Sequence, residues 1–179
     1  MRKGLIQIYT GEGKGKTTAA LGLALRAVGQ GLKVCFIQFM KPSDFATGEM
    51  AAAERLAPGL RIVQFGSSQI WGKGRPKHDI TIEMKTASKN ALHFAKQAMN
   101  EGHYDIIVLD EINMALDLGL LDLANVVELL KTRPSAVELI LTGRGAPQEI
   151  IDMADLVTEM VAVKHPYQSG VGARRGIEY

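Results

Sequence analysis

A glycine-rich loop near the start of the chain carries the residues whose chemistry is clearest from sequence. It reads Gly11-Glu12-Gly13-Lys14-Gly15-Lys16-Thr17, and it follows an apolar segment at residues 5–9 and precedes a predicted helix over about residues 16–30. Glycines let the backbone turn successive N–H groups inward, and a helix that begins at the loop adds its own N–H groups and positive dipole end. Lys16 can place an ammonium among phosphate oxygens, and Thr17 can offer a hydroxyl to Mg²⁺. We therefore expect the loop to bind a nucleoside triphosphate.

The loop departs from the usual phosphate-loop pattern at one position. That pattern, Gly-x-x-x-x-Gly-Lys-[Ser/Thr], has a glycine five positions before Gly15, where this chain has Thr10. Additional glycines inside the loop and an extra basic residue, Lys14, stand in its place. A glycine-rich turn that binds nothing is the alternative interpretation. The loop follows an apolar strand and begins a helix, however, which is the context that the phosphate-binding motif requires.

Two carboxylates follow a second apolar segment, in the run Val108-Leu109-Asp110-Glu111. Mg²⁺ prefers hard oxygen ligands and usually keeps several waters, so a carboxylate here could face an ion held by Thr17 and the phosphates. The alternative is a helix N-cap, because Asp110 stands just before residues 112–114, which could begin a helix. Both interpretations can hold, with one residue in each role.

Two further residues are weaker candidates. Arg144 follows the apolar segment at residues 138–142 and could reach the phosphates or a substrate, or it could be a surface arginine of a turn. Trp71 is the one tryptophan and lies in a polar, glycine-rich stretch over residues 66–79, where it could face a substrate or pack against the base of its own loop. The sequence contains no Ser-His-Asp arrangement and no evident general base. An enzyme of this kind would therefore take its nucleophile from a second substrate, or it would bind ATP and hydrolyse it slowly.

Strand-like and helix-like segments alternate along the chain. Several of the strands are continuous apolar runs, which is typical of parallel strands covered on both faces. We therefore predict an α/β fold in three layers with a mostly parallel central sheet, as in P-loop NTPases of the RecA-like type. Ligands of such sheets bind at the carboxyl ends of the strands, so the glycine loop, the acidic pair and Arg144 should gather at one edge. The predicted strands cover residues 5–9, 34–39, 60–65, 105–109, 138–142 and 156–161, and a long helix should cover about residues 81–101.

Composition narrows the classes of function. The 179 residues, 46% of them apolar, suit a single domain over residues 1–179. The 21 basic residues are balanced by 19 acidic ones, which does not favour nucleic-acid binding. The longest apolar runs are too short for a transmembrane helix, so we expect no membrane association. The single cysteine, Cys35, allows no internal disulfide and favours a reducing, cytoplasmic setting.

Four stretches together resemble the ATP:corrinoid adenosyltransferases of the CobA/BtuR/CobO type. They are residues 9–20 with 24–29, residues 108–111, residues 141–145, and the tail at 163–166, 170–171 and 176–179. The tail makes the resemblance specific, since generic P-loop proteins lack it. The resemblance implies transfer of the 5′-deoxyadenosyl group of ATP to the cobalt of a reduced corrinoid, in adenosylcobalamin biosynthesis or corrinoid salvage. Co(I) attacks the ribose 5′ carbon and inorganic triphosphate leaves, so the cobalt is the nucleophile.

By position, the resemblance also implies the residues of the site. Lys16 corresponds to the catalytic lysine that binds the phosphates, Thr17 to the threonine that binds Mg²⁺, and Glu111 to the carboxylate that binds Mg²⁺. Asp110 would support these Mg²⁺ ligands without contacting the ion itself. Trp71 corresponds to an aromatic position in the corrinoid-facing loop. Residues expected to bind ATP, Arg144 among them, are Gly11, Glu12, Gly13, Lys14, Gly15, Lys16, Thr17, Thr18, Arg26 and Arg144.

The resemblance names further molecules as well. The expected cofactor is Mg²⁺, the expected substrates are ATP and a reduced corrinoid, and an electron donor such as a reduced flavoprotein would supply Co(I). A homodimer is favoured. The residues alone leave two other functions open: a P-loop kinase or NTPase that cleaves the β–γ bond, with Asp110 and Arg144 in its catalytic roles, and a nucleotide switch that acts through a partner.

Overall fold

Six strands alternate with helices along the chain. The computed structural model describes residues 3–42, 44, 46–67 and 80–179. The strands are β1 (Ile6–Thr10), β2 (Val34–Phe39), β3 (Leu60–Phe65), β4 (Ile106–Asp110), β5 (Glu138–Thr142) and β6 (Leu156–Glu159). The helices are α1 (Lys16–Gly29), α2 (Gly48–Leu56), α3 (Ile82–Asn100), α4 (Ile112–Asp117), α5 (Leu123–Thr132) and α6 (Gln148–Ile151), followed by a short 3₁₀-helix at Pro166–Ser169.

The strands form one sheet in the order β3-β2-β4-β5-β1-β6. Every pairing in it is parallel. The strand that leads into the glycine loop, β1, lies between β5 and β6, and β5 separates it from β4, which ends in the first acidic residue. All strands therefore end at the same edge, and the loops that follow β1, β4 and β5 are neighbours there.

Apolar side chains cover both faces of the sheet. All six residues of β2 are buried, and Phe36 and Phe39 belong to the two separate clusters of the core. On one face, α1 and α2 contribute small residues such as Ala24 and Ala53, which let these helices pack close to the strands. On the other face, α3 to α6 contribute residues such as Ala91 and Leu129. Each fully buried phenylalanine contributes about 1.5–3 kcal/mol to stability.

The predicted three-layer α/β fold is confirmed, and its sheet is wholly parallel. All six predicted strands are found within one or two residues of their expected bounds, and the long helix α3 is found as expected. Sequence reasoning did not predict α2, α5 and α6, and it had α4 only as the helix of the N-cap alternative. The four-residue α6 and the six-residue α4 are too short to show a helical period.

Two other features of the fold bear on the expectations from sequence. Strand β6 lies at the edge of the sheet, and all four of its residues are exposed. Among the described residues, none of the helices has both the length and the apolar character that a membrane span requires.

Candidate active site

The glycine loop joins β1 to α1 and packs against the chain that follows β6. Gly11 and Gly15 have φ values of 95° and 119°, in the left-handed region that favours glycine. The Gly13 N–H donates to the Met160 carbonyl oxygen at 2.6 Å. A Cβ at Gly13 would lie 2.7 Å from that oxygen, so no larger residue fits without moving the loop. The glycines therefore serve both the turn of the loop and its close contact with the end of the sheet.

Thr10, which stands where the usual motif has glycine, has a contact of its own. Its hydroxyl accepts a hydrogen bond from the Ala146 N–H at 3.4 Å. The Gly143 N–H also donates to the Tyr9 carbonyl at 3.2 Å. These bonds tie the end of β1 to the segment after β5, so the departure from the motif joins the glycine loop to the loop that carries Arg144.

Lys16 lies inside the loop, with only 6% of its surface exposed. Its ammonium donates to the carbonyl oxygens of Gly11 at 2.6 Å and Gly13 at 2.7 Å. Burial lowers the pKa of this ammonium, while the nearby Glu111 carboxylate acts in the opposite direction. The carbonyl oxygens of the loop hold the charge at the centre of the loop, where phosphate oxygens could replace them as acceptors.

Thr17 joins the loop to the acidic pair. Its hydroxyl donates to Oδ1 of Asp110 at 2.8 Å, although 93 residues separate the two in sequence. The same Oδ1 accepts from the Thr142 hydroxyl at 2.7 Å, and Asp110 is wholly buried. Because the Thr17 proton points to Asp110, the oxygen lone pairs of Thr17 are left for a cation. The structure therefore links Asp110 to the glycine loop through Thr17, and the role of Asp110 behind a bound ion stays a prediction.

Glu111 follows in an unusual backbone conformation. Its φ of 65° places a non-glycine residue in the left-handed region, and such residues cluster at functional sites. Burial, and next the Asp110 carboxylate, raise the pKa of Glu111 to about 7, while Lys16 acts against that rise. A carboxylate in this setting is stabilised in its charged form by a cation. Glu111, not Asp110, occupies the N-cap position of α4, and it makes no side-chain cap bond, so the N-cap role considered for Asp110 is wrong.

Sequence reasoning missed a buried polar cluster beside Asp110. Gln38 donates to Oδ2 of Asp110 at 3.3 Å and to Glu49 at 3.1 Å. Lys41 lies 3.0 Å from Glu49 and 3.8 Å from Oδ2 of Asp110. The feature of the sequence that could have indicated this cluster is Gln38, a polar residue near the end of a strand that is otherwise apolar. This cluster satisfies the second oxygen of Asp110, so both oxygens of that carboxylate have fixed partners.

Two charged residues of the glycine loop have partners on neighbouring segments. Arg144 lies 3.3 Å from Glu12, and their side chains are 38% and 62% exposed. Lys14 donates to Glu178 at 2.9 Å and to the Ile177 carbonyl at 3.2 Å, which brings the C-terminal tail to the loop. Solvent-accessible ion pairs of this kind contribute little to stability, so a phosphate could take the place of Glu12 or Glu178 beside its cation at small cost.

A comparison with known sequences identifies the family. The sequence model of the family described as ATP:corrinoid adenosyltransferase BtuR/CobO/CobP matches residues 2–179. The chain belongs to this family of adenosyltransferases. Its activity is transfer of the adenosyl group of ATP to a corrinoid. The resemblance seen in the sequence is therefore confirmed.

Named relatives agree with this assignment to the adenosyltransferases. The chain is 36% identical over 179 residues to a corrinoid adenosyltransferase of a Sinorhizobium species, covering 99% of this chain and 81% of the relative. It is 36% identical over 177 residues to that of Escherichia coli K12, covering 99% and 86%. Among solved structures, a KaiC-like protein of Pyrococcus horikoshii matches with a TM-score of 0.58 at 19% identity, over 88% of this chain and 73% of that one. That structure supports the fold alone.

The structure places Thr18 beside the glycine loop and Arg26 away from it, and Trp71 is outside the described ranges. Thr18 is exposed in the first turn of α1. Arg26 is exposed in the last turn of α1, ten residues after Lys16 and so about 15 Å along the helix axis from it. The structure does not bring Arg26 to the glycine loop, and its role in ATP binding stays a prediction. Trp71 lies outside the described residues.

Proposed function

We propose that this adenosyltransferase binds the triphosphate of ATP in the glycine loop and presents the ribose 5′ carbon to the Co(I) centre of a reduced corrinoid. The electron pair of Co(I) forms the new cobalt–carbon bond. The C5′–O bond breaks, and inorganic triphosphate leaves with the electron pair of that bond. The observation that carries this proposal is the Thr17–Asp110 hydrogen bond of 2.8 Å, which unites the phosphate loop and the acidic pair in one site.

The residues of the loop stabilise the leaving group. Triphosphate gains negative charge as the C5′–O bond breaks, and groups already aimed at that charge lower the barrier. Lys16, held 2.6 Å and 2.7 Å from two loop carbonyls, can turn its ammonium to the phosphate oxygens. The N–H groups at the start of α1 face the same place. Arg144, next to Glu12, is within reach as a third source of positive charge.

We propose that Mg²⁺ is held by the Thr17 hydroxyl and the Glu111 carboxylate, with Asp110 acting through Thr17. Mg²⁺ takes oxygen ligands and is commonly held by one or two carboxylates together with substrate phosphates and waters. Within the described residues no group of three or more His, Cys, Asp or Glu side chains could hold a metal by itself, so substrate phosphates would complete the site. The raised pKa of Glu111 fits a carboxylate that awaits a cation. When bound, the ion neutralises part of the triphosphate charge.

The remaining expectations concern molecules beyond ATP. We propose that Trp71 contacts the corrinoid, and that an electron donor such as a reduced flavoprotein supplies Co(I). We also propose that the protein works as a homodimer in the cytoplasm. The relatives named as corrinoid adenosyltransferases support the corrinoid as substrate. The donor, the dimer and the location follow from the family resemblance and from the single, buried cysteine Cys35.

The test is an anaerobic reaction of the protein with cobalamin, a strong chemical reductant, ATP and Mg²⁺, followed by its visible spectrum. We expect the Co(I) spectrum to change to that of a light-sensitive alkylcobalamin, with one triphosphate released for each cobalt alkylated. Steady formation of ADP without a spectral change would instead support cleavage of the β–γ bond and contradict the proposed step. An alkylcobalamin formed with ADP or pyrophosphate as product would contradict the proposed leaving group.

A further inference from the structure

Thr142 is a buried residue at the site to which no role has yet been assigned. It ends β5, the strand that separates β4 from β1, and none of its surface is exposed. The sheet order therefore places its side chain between the strand that carries the acidic pair and the strand that leads into the glycine loop. A buried threonine hydroxyl without a hydrogen-bond partner would destabilise the folded state, so the partners of this hydroxyl indicate its role.

The hydroxyl of Thr142 makes one bond to each member of the acidic pair. It accepts from the Glu111 N–H at 3.0 Å and lies 2.7 Å from Oδ1 of Asp110. A backbone N–H can only donate, and an ionised carboxylate can only accept, so the Thr142 proton points to Asp110. Thr17 donates to the same oxygen at 2.8 Å. Oδ1 of Asp110 is thus fixed between two hydroxyls, one from β5 and one from the phosphate loop.

The second bond acts on the backbone from which Glu111 projects. Glu111 has a φ of 65°, and a non-glycine residue is strained in this region, so its surroundings must hold it there. The bond from its N–H to Thr142 is one such restraint, and it lies at the residue where the chain turns from β4 into α4. One hydroxyl therefore fixes the orientation of the Asp110 carboxylate and the direction in which Glu111 leaves the sheet.

We propose that Thr142 is a positioning residue that sets the geometry of the metal site. This inference rests on the Mg²⁺ role proposed above for Thr17 and Glu111. Thr142 touches neither the ion nor the phosphates. It holds Asp110 so that the Thr17 proton is directed away from the ion, and it holds the Glu111 backbone so that the carboxylate reaches the ion. The alternative is that the hydroxyl only satisfies a buried carboxylate and so stabilises the fold.

Isothermal titration of ATP, with Mg²⁺ and separately with a chelator, distinguishes the two roles. Thr142→Val keeps the shape and removes the hydroxyl, while Thr142→Ser keeps the hydroxyl. We expect Thr142→Val to weaken ATP binding about tenfold or more with Mg²⁺, the effect of losing a hydrogen bond to a charged group, and to leave binding without Mg²⁺ unchanged. Thr142→Ser should bind within about twofold of the unaltered protein under both conditions, since its hydroxyl can make the same two bonds. Thr86→Val, on the exposed surface of α3, is the control for a threonine-to-valine change elsewhere.

Several outcomes would overturn the inference. If Thr142→Val binds ATP as Thr142→Ser does in the presence of Mg²⁺, or loses affinity equally with and without Mg²⁺, Thr142 is structural and not a positioning residue. Should Thr142→Val fail to fold, Thr142→Ala is measured in the same way, since it removes both bonds without placing a methyl against Asp110. If the unaltered protein binds ATP equally with and without Mg²⁺, the proposed metal site itself fails, and Thr142 has no ion to position. A Mg²⁺-dependent protein with an unaffected Thr142→Val variant contradicts only the present inference.

Discussion

Replacement of Glu111 by glutamine should stabilise the nucleotide-free protein at alkaline pH. Burial and the Asp110 carboxylate raise the pKa of Glu111 from 4.5 to about 7. A carboxyl group whose pKa is raised in the folded state contributes stability that is complete below the unfolded pKa and is lost as pH rises through the folded pKa. The window is therefore about pH 4.5 to 7. Glutamine resembles the protonated acid, so the variant should escape this loss.

The size of the effect follows from the shift. A rise from 4.5 to about 7 corresponds to at most about 3.5 kcal/mol, at about 1.4 kcal/mol for each pKa unit. For a chain of this length, about 2–4 °C of melting temperature accompany each kcal/mol, so Glu111→Gln should melt up to about 7–14 °C above the unaltered protein at pH 8. At pH 5 the two proteins should melt close together, because Glu111 is then protonated in the folded state.

Thermal unfolding followed by circular dichroism at pH 5, 6, 7 and 8, without nucleotide or Mg²⁺, measures the difference. Glu54→Gln, an exposed position on α2, is the matched control, and its difference from the unaltered protein should stay constant with pH. A Glu111→Gln variant that is no more stable at pH 8 than at pH 5, relative to the unaltered protein, would refute this reasoning. Addition of ATP and Mg²⁺ should reverse the order at pH 8, since the variant lacks the carboxylate that the ion requires.

Three further predictions concern the glycine loop. Lys16→Ala should weaken ATP binding by at least about tenfold, because the ammonium at the centre of the loop is lost; titration calorimetry measures this. Gly13→Ala should also weaken ATP binding, since its Cβ would lie 2.7 Å from the Met160 carbonyl oxygen and the loop would have to move. Lys14→Met should leave the melting temperature within about 1 °C but speed chymotrypsin cleavage of the tail, because Glu178 of the tail loses its bond to Lys14 of the loop.

Each of these variants has a control and a contradicting result. Gly22→Ala introduces the same methyl in the middle of α1, where nothing lies within 4 Å, and should stabilise the protein by about 0.5–1 kcal/mol. Lys96→Met removes an exposed ion pair with Glu128 and should leave tail cleavage unchanged. Unaltered ATP affinity in Lys16→Ala would contradict the assignment of Lys16 to phosphate binding. Equal ATP affinity in Gly13→Ala and Gly22→Ala would show that the loop adapts, and unchanged cleavage in Lys14→Met would show that other contacts hold the tail.

The sequence predicted the chemistry of the loop because that chemistry is local. The glycines, Lys16 and Thr17 are consecutive, and the strand before them and the helix after them follow from apolar spacing within a few residues. The continuous apolar runs predicted the layers and the parallel direction of the sheet for the same reason. A strand that is buried on both faces is apolar at nearly every position, and this can be seen in each strand separately. The tail and the loop, taken together, also predicted the family.

The tertiary structure alone decided which distant residues share the site. The order of strands brings Thr142 beside Asp110, 32 residues away, and Thr17 beside Asp110, 93 residues away. It also buries Lys16 inside the loop, with only 6% of its surface exposed. The physical reason is that the spacing of residues along the chain does not determine the order in which the strands lie side by side in the sheet. Asp110 was recognised from the acidic pair, but its fixed hydroxyl partner on β5 is determined by the packing of β4 against β5.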